Sequence, residues 1–103
     1  MHPVEQSTRV TVTARIKAKP GMEKTVRQEL TNLIRPTRIE KGCINYDLHV
    51  SPMDPSLFIF YENWQSEEDL TQHLQSPHLK SWSQRAHQFL AAPVELERWS
   101  RIE

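Results

Sequence analysis

The sequence is poor in cysteine, in excess charge of either sign and in long apolar runs. Cys43 is the single cysteine among 103 residues, so an internal disulfide and a thiolate metal cluster are both excluded. Thirteen acidic residues balance thirteen basic ones, whereas nucleic-acid binding requires a concentrated basic face. No apolar run approaches the roughly 18 residues of a membrane span, and the N-terminal residues lack the apolar core of a signal peptide. We therefore expect a cytoplasmic protein without nucleic-acid or membrane partners and without a thiolate-bound metal.

The length and the first alternating segment predict one domain that begins with a strand. A chain of 103 residues suffices for one domain with a single, thin core. We place this domain at residues 8–103, after a polar and disordered tail at residues 1–7. From Thr8 onward, apolar and polar residues alternate in RVTVTARIKA, which is typical of a strand. Pro20 and Gly21 end it.

The period then changes to that of a helix. Apolar residues recur every three or four positions from about Met22 to Glu40, with charged residues between them, which predicts an amphipathic helix. Pro36 lies inside this helix and is expected to kink or loosen its last turn. Gly42 follows, and glycine can adopt the left-handed conformation that closes many helices.

The remaining segments complete an α+β order. CINYDLHV (residues 43–50) and LFIFYENW (residues 57–64) alternate as strands and are joined by the turn-forming SPMDPS. Ser66 precedes an acidic residue by three positions and Ser76 precedes a proline, so each marks a helix start. Residues 94–102 alternate again as a last strand. The order β-α-β-β-α-β predicts a ferredoxin-like fold with a four-stranded antiparallel sheet.

The helices of such a fold can cover only one face of the sheet. Either of two apolar sets would then occupy the other face, depending on the strand register: Ile44, Tyr46 and Leu48, or Phe58, Phe60 and Trp64. An exposed surface of that kind marks a partner interface. We therefore predict a C₂ homodimer in which two sheets stack face to face.

Several motifs, taken in order, resemble one known family. They are PG, PTR, GCINYDLH, DP, FIFYENW and DLTQHLQSPHLKSW. The pattern is similar to the antibiotic biosynthesis monooxygenase domain, and in particular to its small quinol-monooxygenase-like branch, over residues 8–102. The most specific pieces are the F-x-x-x-E-x-W formed by Phe58, Glu62 and Trp64 and the H-L-x-x-P-H that runs from His73 to His78.

The resemblance implies a ferredoxin-like protomer, a dimeric α+β barrel and a pocket between helices and sheet. Characterised members include enzymes that oxidise phenolic or quinol substrates with O₂ and without a metal or flavin cofactor, whereas some relatives isomerise small metabolites and others degrade haem. The haem-degrading relatives use an asparagine and a histidine at positions that align near Ala14 and Ser83, which disfavours that activity here. His87 lies four residues beyond Ser83, so it would supply that histidine only if the alignment were shifted by four residues.

Histidines are the first candidates for the catalytic base, because their ordinary pKa lies close to neutral pH. His73 and His78 match the family motif and flank the boundary between two predicted helices, where they could instead simply hold that junction. His49 lies near the end of a strand, where a solvated role is the main alternative. His87 is interpreted as a surface residue.

Glu62 is a charged residue in a predicted strand that is otherwise largely aromatic. It shares a strand side with Phe58, Phe60 and Trp64, and a buried carboxylate requires a partner. One interpretation pairs it with Arg98 or Arg101 of the last strand, and this is slightly favoured; the other places it in an aromatic pocket. The residues expected to bind substrate are Tyr46, Tyr61, Glu62, Trp64 and Trp82, although the tyrosines and Trp82 could serve only in packing.

Three functions remain open at this point. The first is a cofactor-independent monooxygenase that acts on a small aromatic or quinol molecule, with His73, His78 or His49 as the base. The second is an isomerase that uses the same pocket without O₂. The third is a non-catalytic ligand-binding dimer, which would lock Glu62 in a salt bridge. The fold alone does not choose among them.

Overall fold

Four antiparallel strands form one sheet in the computed structural model, which describes residues 9–103. Three helices and one turn of 3₁₀ helix pack on one face. The elements are β1 (Val10–Lys17), α1 (Glu23–Arg38), β2 (Cys43–Val50), β3 (Leu57–Trp64), α2 (Glu67–Leu74), α3 (Pro77–Arg85), the 3₁₀ turn (Ala86–Gln88) and β4 (Glu95–Trp99). The strand order in the sheet is β2-β3-β1-β4. This confirms the ferredoxin-like α+β prediction. The predicted tail at residues 1–7 lies outside the described residues.

Strand β1 is the centre of the covered face. Val12, Ala14 and Ile16 are buried, and the alternation that predicted the strand places them on the side that faces the helices. β1 pairs with β3 on one side and with β4 on the other. Val12 and Ala14 therefore lie between neighbours from two other strands, whereas Ile16 pairs with Phe58 of β3.

Helix α1 covers this core with the stripe that its periodicity predicts. Its buried residues are Val26, Leu30, Leu33 and Thr37. The helix ends at Arg38, two residues before the predicted end, and continues through Pro36 into its last turn. Gly42 has a φ of 81°, the left-handed conformation expected of it. Within residues 9–103, no helix is both long enough and apolar enough to cross a membrane.

The two short helices begin at their predicted caps. The Ser66 hydroxyl accepts a hydrogen bond from the Asp69 amide at 3.1 Å and donates one to the Asp69 carboxylate at 3.0 Å. The Ser76 hydroxyl accepts from the Leu79 amide at 3.4 Å, and Pro77 opens α3. Helix α2 ends at Leu74 and α3 begins at Pro77, so the end of α2 lies next to the start of α3.

Replacing Ser66 with alanine is expected to lower the free energy of unfolding by about 1 kcal/mol, the usual loss for an N-cap. Ser81→Ala is the control, because Ser81 is exposed inside α3. Urea unfolding of both variants measures the difference. Equal stability of the two variants would show that Ser66 does not cap α2.

The strand register corrects one sequence-based prediction. Tyr46 pairs with Glu62 and Leu48 with Phe60, so Tyr46 and Leu48 lie on the same face as Phe58, Phe60 and Trp64, the face that the helices cover. The expectation that one of these two sets occupies the uncovered face is therefore wrong for these five residues. Ile44, the third member of the β2 set, lies at a register shift and is 40% exposed. The uncovered face instead carries polar side chains together with Leu57, Ile59 and Tyr61. The C₂ homodimer stays a prediction, without the support of these apolar sets.

Candidate functional site

A cavity of about 610 Å³ opens between the sheet and the helices. This volume is typical of a site for a small organic molecule. The strands contribute Ala14, Ile16, Tyr46, Phe60, Glu62 and Leu96, the helices contribute Leu30, Leu33, His73, Leu74, Leu79, Trp82 and Ser83, and the segment after α3 contributes Ala86, His87 and residues 90–94. Most of these side chains are apolar. The few polar groups therefore decide how a ligand is oriented.

Glu62 is the carboxylate in the cavity wall. It lies on β3 with 4% of its surface exposed, and its Oε1 accepts a hydrogen bond from Nε1 of Trp64 at 2.9 Å. Burial raises the pKa of Glu62 to about 7, and the negative charge of Glu40 adds to the rise, while the bond from Trp64 opposes it. Near neutral pH this group can therefore both accept and hold a proton.

The salt bridge favoured for Glu62 from the sequence is wrong. Arg98 donates two hydrogen bonds of 2.6 Å to Glu67, and Arg101 donates to the backbone oxygen of Glu103. The sheet order explains this, because Val12 of β1 pairs with Glu62 on one side and with Arg98 on the other. The two residues are thus two strands, or about 10 Å, apart. Glu62 instead occupies the position of the second interpretation, in the pocket.

His73 and His78 meet behind the cavity wall at a residue that the sequence analysis did not single out. Nδ1 of His73 lies 3.0 Å from Oε2 of Glu40, and Nε2 of His78 lies 2.8 Å from the same oxygen. Nε2 of His78 also lies 3.1 Å from the Thr37 hydroxyl. Burial lowers the pKa of His73, against the opposing effect of Glu40. His73 lines the cavity, whereas His78 and Glu40 are not among the lining residues.

Two predicted substrate-binding aromatic residues lie in the cavity wall, and a third supports it. The Tyr46 ring stacks on Phe60 at 4.2 Å, and burial raises the pKa of Tyr46, with a further contribution from the charge of Glu62. Trp82 lines the same space. Trp64 is fully buried, and its ring lies 4.6 Å from that of His73. Trp64 therefore positions Glu62 and His73 from behind.

The structure does not bring His49 or Tyr61 to the cavity. Both side chains are exposed, and Nδ1 of His49 lies 3.2 Å from the backbone oxygen of Asp47. Each lies next to a residue that packs on the helix side, Leu48 for His49 and Phe60 for Tyr61, so both side chains point to the opposite face of the sheet. His87, interpreted as a surface residue, is exposed but also borders the cavity. No local pattern in the sequence distinguishes a histidine at a cavity mouth from one in open solvent.

Comparison with known proteins places this geometry in context. A model of the family described as "Antibiotic biosynthesis monooxygenase" matches residues 9–85. The "Putative monooxygenase Rv0793" of Mycobacterium tuberculosis is 34% identical over 85 residues, which is 82% of this chain and 83% of that protein. Its structure superposes with a TM-score of 0.87 and 30% sequence identity, covering 93% of this chain and 97% of that one.

Two further relatives extend the comparison. The "Probable quinol monooxygenase YgiN" of Escherichia coli is 28% identical over 85 residues, covering 73% of this chain and 82% of that protein. An uncharacterized Synechocystis protein, sll1783, is 28% identical over 94 residues, which is 91% of this chain. The matched region spans only 64% of the Synechocystis protein's length.

Proposed function

Because the chain belongs to the antibiotic biosynthesis monooxygenase family, we propose that it oxidises a small phenolic or quinol substrate with O₂ and without a cofactor. The observation that carries this proposal is the buried carboxylate of Glu62 in the wall of an otherwise largely apolar cavity. The similarity to a relative named as a probable quinol monooxygenase supports the substrate class. An isomerase would use the same cavity without O₂.

Glu62 removes the proton that makes the substrate reactive. A phenol or quinol reduces O₂ readily only as its electron-rich anion, so a base must act first. The carboxylate has a pKa of about 7, which suits proton transfer near neutral pH. Its Oε1 is fixed by the bond from Trp64, which leaves Oε2 to receive the proton.

The deprotonated substrate then reacts with O₂ directly. It passes one electron to O₂, and recombination of the resulting radical pair forms a carbon–oxygen bond to a peroxide. The peroxide anion takes the proton back from Glu62, and loss of water from the hydroperoxide, with the hydrogen of the attacked ring carbon, leaves one oxygen atom on the ring. A hydroquinone and one O₂ thus give a hydroxyquinone and one H₂O. The protein supplies the base, the orientation and a cavity that limits contact with water.

The other polar groups of the wall hold the substrate oxygens. Nδ1 of His73 is occupied by Glu40, so Nε2 is the ring nitrogen available to a ligand in the cavity. Tyr46 lies on β2, directly opposite Glu62 of β3. Its ring packs edge-on against the ring of His73, with 5.3 Å between the ring centres. Substrate would therefore lie against Phe60 and Tyr46, with its oxygens directed toward Glu62 and His73.

The direct test is oxygen consumption by the purified protein with a panel of substituted hydroquinones and phenols. We expect uptake of O₂ with at least one of them, and a product that carries a single labelled oxygen when ¹⁸O₂ is supplied. Conversion that proceeds equally well under nitrogen would favour the isomerase. Binding of panel members without any conversion would favour a non-catalytic ligand-binding protein.

A matched pair of variants tests whether the cavity is the site. Ser83 and Ser81 are both exposed on α3, but only Ser83 lines the cavity. We expect Ser83→Trp to abolish oxygen uptake because the indole fills the space that the substrate needs, whereas Ser81→Trp retains wild-type rates. Equal activity of the two variants would place the reaction elsewhere.

A further inference from the structure

Three side chains of metal-ligating type converge from separate parts of the chain. Glu40 follows α1, His73 lies in the last turn of α2 and His78 lies in the first turn of α3. One potential ligand atom from each lies within 4.8 Å of the other two. The His73 side chain is 2% exposed, and those of Glu40 and His78 are 17% and 21% exposed. The cluster is therefore largely shielded, yet open on one side.

The two separations from Glu40 are close to those of ligands around a single ion. Transition-metal ions bind imidazole nitrogen and carboxylate oxygen at about 2.1 Å, which places neighbouring ligand atoms about 3.0 Å apart in an octahedral shell and about 3.4 Å apart in a tetrahedral one. The separations from Oε2 of Glu40 are 3.0 Å to Nδ1 of His73 and 2.8 Å to Nε2 of His78. The nitrogens of His73 and His78 lie within 4.8 Å of each other, so binding of one ion to all three atoms requires side-chain movement that brings these nitrogens to a common distance from the ion.

We propose that Glu40, His73 and His78 form a binding site for one divalent transition-metal ion of the Zn²⁺ type. Two imidazoles and one carboxylate favour borderline ions such as Zn²⁺, Co²⁺ and Ni²⁺ over Mg²⁺ and Ca²⁺, which prefer all-oxygen sites. The hydroxyls of Thr37 and Ser76 lie 3.1 and 3.4 Å from Nε2 of His78. Once Nε2 binds the ion, it no longer accepts from these hydroxyls, which are then free to hydrogen-bond a water in the coordination shell.

The site is distinct in position and role from the proposed oxidation. Of its three ligands only His73 lines the cavity, and it offers Nδ1 to the ion while Nε2 is left for the cavity. The ion would lie behind the wall and join the loop after α1 to the junction of α2 and α3. Its effect is to stabilise this corner of the fold, and no step of the oxidation passes through it.

Calorimetric titration of untagged, chelator-treated protein with ZnCl₂ tests the proposal. We expect one ion per chain, a rise in the melting temperature with added Zn²⁺, and a visible absorption band when Co²⁺ is used instead. Glu40→Gln and His78→Ala should each weaken Zn²⁺ binding by about 100-fold or more. Both positions are only partly buried, so these variants should fold, which circular dichroism verifies.

Two histidines outside the cluster provide the controls. His49→Ala and His87→Ala should leave Zn²⁺ affinity and stoichiometry unchanged, because both side chains are exposed and neither belongs to the cluster. Absence of binding by the folded wild type would overturn the proposal. So would Zn²⁺ binding that Glu40→Gln and His78→Ala leave intact. Neither outcome depends on oxygen uptake, so the proposed oxidation is judged separately.

Discussion

Glu62→Gln is expected to reduce oxygen-dependent turnover by about 100-fold or more, the usual contribution of a general base. Glutamine keeps the side-chain oxygen that accepts the hydrogen bond from Trp64, so the cavity should retain its shape while the proton acceptor is lost. Initial rates of O₂ uptake measure the effect. In the wild type, the rate should rise with pH through about 7, where Glu62 ionises. Full activity of the variant would exclude Glu62 as the base.

The same variant should change how stability depends on pH. Burial raises the pKa of Glu62 from its ordinary 4.5 to about 7, so the folded state binds this proton more tightly than the unfolded chain does. The resulting stabilisation is complete below about pH 4.5 and is lost as the pH rises through about 7. Relative to the wild type, Glu62→Gln should therefore gain about 3 kcal/mol between pH 4 and pH 8.

Urea unfolding at several pH values measures this difference. Ser81→Ala is the control, because Ser81 is exposed on α3 and its substitution removes no ionisable group. If Glu62→Gln and Ser81→Ala show the same dependence, Glu62 does not titrate near neutral pH in the folded protein.

Gly42→Ala is expected to lower the free energy of unfolding by about 3 kcal/mol or more. Two costs add. Gly42 has a φ of 81°, a conformation that side chains disfavour, and an added Cβ would overlap the side chain of Asp69. Asp69 cannot easily move away because it is buried and bonded to the Ser66 hydroxyl. Thermal unfolding should show a midpoint lower by more than about 10 °C.

Gly21→Ala separates the two costs. Gly21 has a φ of 87°, but an added Cβ would meet no atom within 4 Å. Its substitution should therefore cost only the conformational penalty of about 1 kcal/mol. Equal losses at the two positions would show that contact with Asp69 contributes nothing.

The fold follows from patterns that are local in the chain. The alternation around Val12, the helical stripe from Val26 to Thr37 and the caps at Ser66 and Ser76 each depend on residues within a few positions of one another. Because ferredoxin-like topology requires little beyond the order of such elements, it could be predicted. The end of α1 is less predictable, since the helix continues through Pro36 and stops at Arg38, two residues before the predicted end.

The site could be predicted only in part because its contacts are not local. Glu40 meets His73 and His78 across 33 and 38 positions, and as one charged residue near a helix end it resembles any solvated glutamate. Whether Glu62 pairs with Arg98 depends on the strand order, because β1 lies between the strands that carry them. Alternation shows which residues share a side of one strand, but the pairing of β2 with β3 determines that both apolar sides face the helices.

The two walls of the cavity differ in rigidity. Tyr46, Phe60 and Glu62 belong to strands that are hydrogen-bonded to one another, and β3 is paired along both edges, so these side chains are held on a rigid surface. The opposite wall includes residues 91–93, an exposed connection without regular structure. We therefore expect discrimination between substrates to be adjustable by substitutions in this connection, while the strand that carries Glu62 stays unchanged. One scaffold could in this way acquire a new substrate without rebuilding its chemistry.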